Sequence, residues 1–344
     1  MEQQKREYWV DYLKAFACLS VLIFHVIYGM QNAGLEPSKP LVILKQFCDV
    51  FQIPAFMYAS GYLFGRRSIG NYFLFNLKKL WNLGVPYVVF SCVYYFINTH
   101  FSSSVNFSYT TQDLILIYKN PIAQYWFIMA LFILFVTIPV LEKIFCNEFV
   151  LLGILFLVKI LNIYWYSIDG IQYDDYFAKY ACYFYLGTIY ARHHEKFTIK
   201  KESNWSFLPV TLVLIFIVVS PWLCNLGSEY DLIFTFGCVL AIYLTTGLTE
   251  KSENRLGNKF IKLVSKYSFQ IYLVHTMATA AIRILLMKMH ITSDWIHLII
   301  GIAGGLGISL LGAIICDKSV ILNIVFFPEG TIKRIKKNKL NRRP

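Results

Sequence analysis

The chain consists largely of apolar runs long enough to cross a lipid bilayer. A helix needs about 20 mostly apolar residues to span the hydrocarbon core, and the sequence holds about ten such runs. The 344 residues are 57% hydrophobic and only 15% charged, which is more apolar surface than a soluble domain of this size can cover. The sequence therefore predicts an all-α integral membrane protein, a bundle of about ten transmembrane helices. The approximate bounds of the runs are 11–30, 46–64, 80–98, 124–141, 149–167, 177–191, 206–224, 231–249, 268–287 and 296–316.

Lysine and arginine are concentrated in alternate loops between these runs. The other loops hold only Lys39, Lys45, Lys119 and Lys288. Because basic residues near span ends stay on the cytoplasmic side, we expect both termini to be cytoplasmic. The net charge of +12 is then an orientation signal facing membrane lipids, with no nucleic-acid partner. Residues 1–330 are predicted to form a single membrane domain, and 331–344 a basic cytoplasmic tail.

The first run carries an acidic, a basic and an imidazole side chain on one helical face. At 100° per residue, Asp11, Lys14 and His25 form a polar stripe, and His25 lies about 16 Å beyond Lys14 along the axis. Asp11 and Lys14 could form an i,i+3 ion pair, or Lys14 could reach the inner headgroups. His25 is too deep for that, and it is either a hydrogen-bonded interface residue or part of a functional site.

A second stripe follows steps of four, three, four and four residues in the ninth run. Such a face has no use against lipid, so it should line a polar cavity or a helix interface. The second stripe places His275 near the middle of the membrane, at a depth similar to that of His25. In the second run, Gln52 and Pro54 are expected to kink the helix. The residues of the second stripe are Ser268, Tyr272, His275, Thr279 and Arg283.

A basic loop follows the second run, on the side of Lys14. Arg66, Arg67, Lys78 and Lys79 either attract the inner leaflet or form a phosphate site, for which clustered basic side chains are suited. The eight cysteines are scattered singly, without ligand spacing, so no metal site is predicted.

Segments in order along nearly the whole chain resemble the membrane-bound acyltransferase-3 family, which includes stand-alone sugar O-acyltransferases. One departure is Lys14, where many members carry arginine; lysine cannot bind an anion bidentately. The resembling segments are WVDYLKAFACLSVLIFHV, FQIPAFMYASGYLFGRR, LKKLWNLGVPYVVFS, QYWFIMALFILFVTIPVL, YFYLGTIYARH and KYSFQIYLVH.

The resemblance implies an O-acyltransferase that uses a cytoplasmic acyl-CoA as its co-substrate. The resemblance favours acetyl-CoA as this donor. His25 would be the catalytic histidine and His275 a second site residue of open role. The acceptor would be a hydroxyl of a sugar, polysaccharide or lipid-linked glycan, and the location a bacterial inner or plasma membrane. Predicted to bind substrate are Asp11, Lys14, Ser60, Arg66, Arg67, Lys78, Lys79, Trp126, Tyr272 and Arg283.

The chemistry of the residues agrees with this assignment, since a sugar hydroxyl needs a base and histidine suits that role near neutral pH. Tyr272, His275, Arg283 or backbone N–H groups near Pro54 could then stabilise the oxyanion. The alternative is a transporter or flippase, because intramembrane histidines and polar cavities also occur there. For Ser60, close helix packing beside Gly61 competes with a ligand contact.

Overall fold

The computed structural model of the protein describes residues 8–101, 108–164, 172–197 and 259–326, with 328 and 330–332. Within these residues all regular structure is helical. A π-helical turn at Leu80–Gly84 joins α3 to α4, and a 3-10 turn at Ala123–Tyr125 precedes α6. The helices are α1 (Tyr8–Asn32), α2 (Lys39–Gly65), α3 (Tyr72–Lys79), α4 (Val85–His100), α5 (Thr111–Ile115), α6 (Trp126–Ile144), α7 (Glu148–Tyr164), α8 (Gln172–Phe197), α9 (Lys259–Lys266), α10 (Ser268–Lys288), α11 (Asp294–Lys318) and α12 (Val320–Phe326).

Six of the described helical segments are long and apolar enough to cross a membrane. They coincide with the first four predicted runs and the last two. The fifth and sixth runs form α7 and α8, but α7 has only 17 residues and α8 contains several charged side chains. The seventh and eighth runs and residues 333–344 of the basic tail lie outside the described residues. The six segments are Tyr8–Asn32, Lys39–Gly65, Tyr72–His100, Ala123–Ile144, Ser268–Lys288 and Asp294–Lys318.

Prolines mark two places where the helices depart from a simple run. Pro86 cannot donate a hydrogen bond to the carbonyl four residues earlier, and the π turn lies at this position. In α2 the helix continues through Pro54, and the residues around it are buried. Burial against protein is the condition under which a proline is tolerated inside a spanning helix.

The core is centred on α2, which packs against α1 and α8. At the α2–α8 crossing the backbones touch: a Cβ added at Gly187 would lie 2.1 Å from the Tyr58 carbonyl oxygen. A Cβ at Gly61 would likewise overlap the Phe184 carbonyl oxygen. The Thr188 hydroxyl donates to the Gly61 carbonyl at 3.1 Å. In lipid no hydrophobic effect draws helices together, so they associate through close packing, which small residues such as these glycines allow.

The two ends of the bundle differ in charge. Trp9 at the start of α1 packs its ring against Tyr62 at the end of α2, with ring centroids 4.5 Å apart, so α1 and α2 are antiparallel. We call the end where α1 begins the basic end and the other the opposite end. The opposite end carries Lys39, Lys45, Lys119 and Lys288. The basic end carries Lys14, Arg66, Arg67, Lys78, Lys79, Lys143, Arg192, Lys259, Lys262, Lys266 and Lys318.

Gly187→Ala should strongly destabilise the protein, because its methyl group would overlap a backbone carbonyl that no rotamer change can move. Overpacking of this kind costs about 1–3 kcal/mol or more. Gly153→Ala is the control, since its Cβ would meet no atom within 4 Å. The measurement is the thermal midpoint in detergent by fluorescence-detected gel filtration. Equal midpoints for the two variants would contradict the assigned helix contact.

Candidate functional site

Two polar contacts hold α1 against the end of α9, just before α10 begins, at the basic end. The Lys14 ammonium donates to the Ser265 carbonyl at 3.1 Å, and the Ser265 hydroxyl donates to the Asp11 carboxylate at 2.7 Å. Asp11 and Lys14 therefore do lie together, as their spacing predicts, and both meet the residues that precede α10.

A third contact joins α1 and α10 at the opposite end. The Arg283 guanidinium donates to the Gly29 carbonyl at 3.0 Å. A Cβ at Gly29 would lie 2.5 Å from that guanidinium nitrogen, so a larger residue here would displace the end of the Arg283 side chain. The start of α1 meets Ser265, which lies just before α10, and the ends of α1 and α10 also meet, so the two helices are parallel.

Between these contacts the two intramembrane histidines face each other. The ring centroids of His25 and His275 are 4.9 Å apart, with their planes at 60°. His275 is fully buried, whereas His25 is partly accessible and lines a cavity. His275 therefore lies behind His25 as seen from the cavity.

Backbone carbonyls fix the protonation pattern of His275. Its Nδ1 lies 2.7 Å from the Tyr272 carbonyl oxygen and 3.1 Å from that of Ile271. Both partners are acceptors, so Nδ1 carries the hydrogen. In the neutral ring Nε2 then holds a lone pair, and Nε2 is buried with no hydrogen-bond partner in the described part of the chain. An unpaired acceptor thus sits beside the His25 ring.

The cavity has a volume of about 580 Å³ and lies toward the opposite end. Its wall includes the second half of α1, the middle of α2, the end of α4 and the start of α6, together with residues of α8, α10 and α11. Exposed Tyr28 and Asn32 belong to this wall, so the cavity reaches the surface at that end. Arg66, Arg67, Lys78 and Lys79 lie at the basic end, away from this opening.

Several buried polar atoms without a hydrogen-bond partner among the described residues lie on this wall. The Gln52 Oε1, both amide atoms of Gln124 and the Thr276 hydroxyl are buried and have no partner within the described protein. Buried polar groups normally have hydrogen-bond partners. Several such atoms around one cavity, next to the unpaired His275 nitrogen, indicate a binding site for a polar molecule.

Aromatic side chains form the rest of the wall. Trp126 lines the cavity and stacks on Tyr176 and Tyr180, at centroid distances of 5.3 and 5.7 Å. Tyr109, in the segment between α4 and α5, also lines it and accepts a hydrogen bond from the Ala123 N–H at 3.2 Å. Burial raises the pKa of the Tyr109 phenol, which therefore stays protonated at neutral pH and can donate.

The structure places the remaining predicted residues in three positions. Tyr272 and Arg283 line the cavity, with the Tyr272 hydroxyl donating to the Gln124 carbonyl. Ser60 is half-buried in α2 beside Gly61, away from the cavity wall. Arg66, Arg67, Lys78 and Lys79 are at the basic end; Arg67 and Lys78 are exposed, and the Lys79 ammonium lies 3.3 Å from the Phe135 ring centroid.

Sequence reasoning missed several wall residues. Asp49 is an acidic residue inside an apolar run, a signal that could have selected it. For Gln52 the sequence predicts only a contribution to a helix kink, and no contact with the cavity. Asn98 and Gln124 stand at the ends of their runs, where polar residues are common and carry no signal. No group of three potential metal ligands occurs in the part of the chain that the structure describes.

Comparison with known protein families supports the resemblance found in the sequence. A family model described as an acyltransferase domain, that of the acyltransferase-3 family, matches residues 7–315. The chain belongs to this family and is a membrane-spanning acyltransferase of its type. No curated protein and no solved structure matches it.

Ser265→Ala should destabilise the protein by about 1.5–3 kcal/mol, the cost of removing a hydrogen bond to a charged group. The Ser265 side chain is fully buried and its hydroxyl donates to Asp11, whereas the carbonyl that accepts from Lys14 is retained in the variant. The thermal midpoint in detergent measures the effect. Exposed Ser68→Ala is the control, and a midpoint no lower for Ser265→Ala would count against this contact.

Proposed function

We propose that the protein transfers an acyl group, by family resemblance acetyl, from acyl-CoA to a sugar hydroxyl, with His25 as general base. The observation that carries the proposal is the His25–His275 pair, in which His25 lines the cavity and His275 lies behind it. A free hydroxyl is a poor nucleophile at neutral pH, and a histidine within reach of it supplies the base. Family membership supports transfer over transport.

In the proposed reaction His25 takes the proton of the acceptor hydroxyl as its oxygen attacks the thioester carbonyl. The O–C bond forms, the C–S bond breaks, and the proton held by His25 passes to the departing CoA thiolate. The unpaired Nε2 of His275 can accept a hydrogen bond from the protonated His25 ring after a small rotation of that ring. His275 is thus a positioning residue, in the role of the third group that orients a catalytic base.

The chemistry of the cavity wall supports a sugar as acceptor. Sugar rings have apolar faces that pack on aromatic side chains and hydroxyls that need donors and acceptors. The wall supplies Trp126 and Tyr109 for the first purpose, and Asp49, Gln52 and Gln124 for the second. The single hydrogen of the Tyr272 hydroxyl is already donated to the Gln124 carbonyl. Arg283 donates to the Gly29 carbonyl and has further N–H groups, so it is the better oxyanion donor of the two.

The ends of the bundle support opposite entry routes for the two substrates. The CoA phosphates would bind at the basic end, where exposed Arg67 and Lys78 have cytoplasmic placement by the positive-inside rule. The distance of about 16 Å along α1 from Lys14 to His25 is comparable to the length of a pantetheine arm. The acceptor would enter from the opposite end, where the cavity reaches the surface. This arrangement corresponds to a bacterial inner or plasma membrane enzyme that modifies a cell-surface glycan.

His25→Ala should lower kcat by about 10²–10⁴-fold, the usual contribution of a general base. His275→Ala should lower kcat about tenfold with unchanged KM values, and His275→Gln should recover part of that loss because its amide can replace both the donor and the acceptor. The assay is acceptor-dependent thiol release from acetyl-CoA by the purified protein in nanodiscs, with a panel of sugars.

The control for these variants is His290→Asn, an exposed position with φ of 56°, which asparagine tolerates. Full activity in a well-folded His25→Ala variant would remove His25 as the base. If the folded wild type neither binds nor turns over acyl-CoA, the enzyme proposal fails and transport becomes the working hypothesis.

Arg67→Gln combined with Lys78→Gln should raise the KM for acetyl-CoA several-fold while kcat and the acceptor KM change little. Loss of two cations weakens phosphate attraction at an exposed site, and the effect should shrink at high salt. Lys119→Gln at the opposite end is the control. A donor KM that does not respond to the double substitution would show that these cations serve only the inner leaflet.

A further inference from the structure

A second depression, of about 300 Å³, lies between α4 and α10 at the opposite end of the bundle. We call it the α4–α10 groove. It is lined mostly by small or apolar side chains of α10, among them Ala281 and Leu285, and by Ile97 and Phe101 at the end of α4. Ile97 is 41% exposed, Phe101 61% and Leu285 55%. Large apolar side chains exposed on spanning helices face the hydrocarbon, so the groove is open to the membrane from the side.

The α4–α10 groove adjoins the histidine cavity. Tyr94, Asn98, Thr276 and Ala280 line both spaces. The partition between them therefore consists of these four side chains, and the Thr276 hydroxyl within it is buried without a partner in the described structure. A molecule lying in the groove would therefore run alongside the wall of the catalytic cavity.

One cation stands at the outer end of the α4–α10 groove. Lys288 is exposed in the last turn of α10, lines the groove and makes no ion pair within the described residues. Basic residues are scarce at this end of the bundle, which makes its position informative. An apolar channel at membrane depth that ends at an ammonium group matches a lipid chain with a phosphate at its end.

We propose that the α4–α10 groove binds the lipid chain of a lipid-linked acceptor, with Lys288 at its phosphate and the attached sugar in the histidine cavity. The inference rests on the proposed function, which it deepens by naming the acceptor class: a sugar joined through phosphate to an isoprenoid chain. The acceptor would enter laterally from the bilayer. A bulk phospholipid shares this chemistry, and the experiment must separate the two.

The first test compares the same sugar, free and linked through phosphate to an isoprenoid chain, as acceptors in nanodiscs. We expect kcat/KM to be at least tenfold higher for the lipid-linked form. Ala281→Trp, which fills the groove, should remove that preference and leave turnover of the free sugar unchanged. Ala303→Trp on α11 is the matched control, since Ala303 is also exposed on a spanning helix but lies outside the groove. Lys288→Gln should weaken the preference and Lys288→Arg should retain it.

A second test needs no turnover. An isoprenoid phosphate with a photoreactive chain should cross-link to residues 97–101 and 277–288 in the wild type and not in Ala281→Trp. Equal labelling of these residues by a phospholipid with the same photoreactive group would assign the groove to bulk lipid and overturn the proposal. Equal use of free and lipid-linked sugar would overturn it as well, and leave the acyltransferase function intact. Absence of thiol release with every acceptor would instead refute the proposed function.

Discussion

The site depends on the parallel pairing of α1 with α10. Asp11 and Lys14 meet Ser265 at one end of the pair, and Arg283 meets the Gly29 carbonyl at the other. Inside a membrane, burial of apolar side chains gives little reason for two helices to choose one register, because lipid tails are equally apolar. Polar contacts at both ends fix the register, and this register brings the ring centroids of the two histidines to within 4.9 Å of each other.

Much of this arrangement is encoded in short-range sequence patterns. Apolar runs about 20 residues long locate spanning helices, and the six long apolar helices fall where the runs predict. Helical spacing places Tyr272, Thr279 and Arg283 on one face of α10, and this face lines the cavity. The residues that matter most chemically, His25 and His275, stand out because an imidazole deep in a span has few other uses.

Other features follow from long-range packing, which spacing within one helix does not contain. The meeting of His25 with His275 requires knowledge of which helices are neighbours. Asn98 and Gln124 look like ordinary span ends until α4 and α6 are placed around the cavity. The link from Asn98 to Tyr109, whose backbone N–H donates to the Asn98 side chain at 3.2 Å, likewise joins parts of the chain that no local pattern connects.

The fixed ends of the α1–α10 pair also limit how the sequence can change in length. Loops between helices can gain or lose residues with little effect, because they lie at the surface. Between Lys14 and Gly29, however, a single inserted residue would turn the rest of α1 by 100° and move it 1.5 Å. His25 would leave His275, and Gly29 would leave Arg283. The interval from Lys14 to Gly29 must therefore match the interval from Ser265 to Arg283 in length. Insertions and deletions should be confined to the rest of the chain.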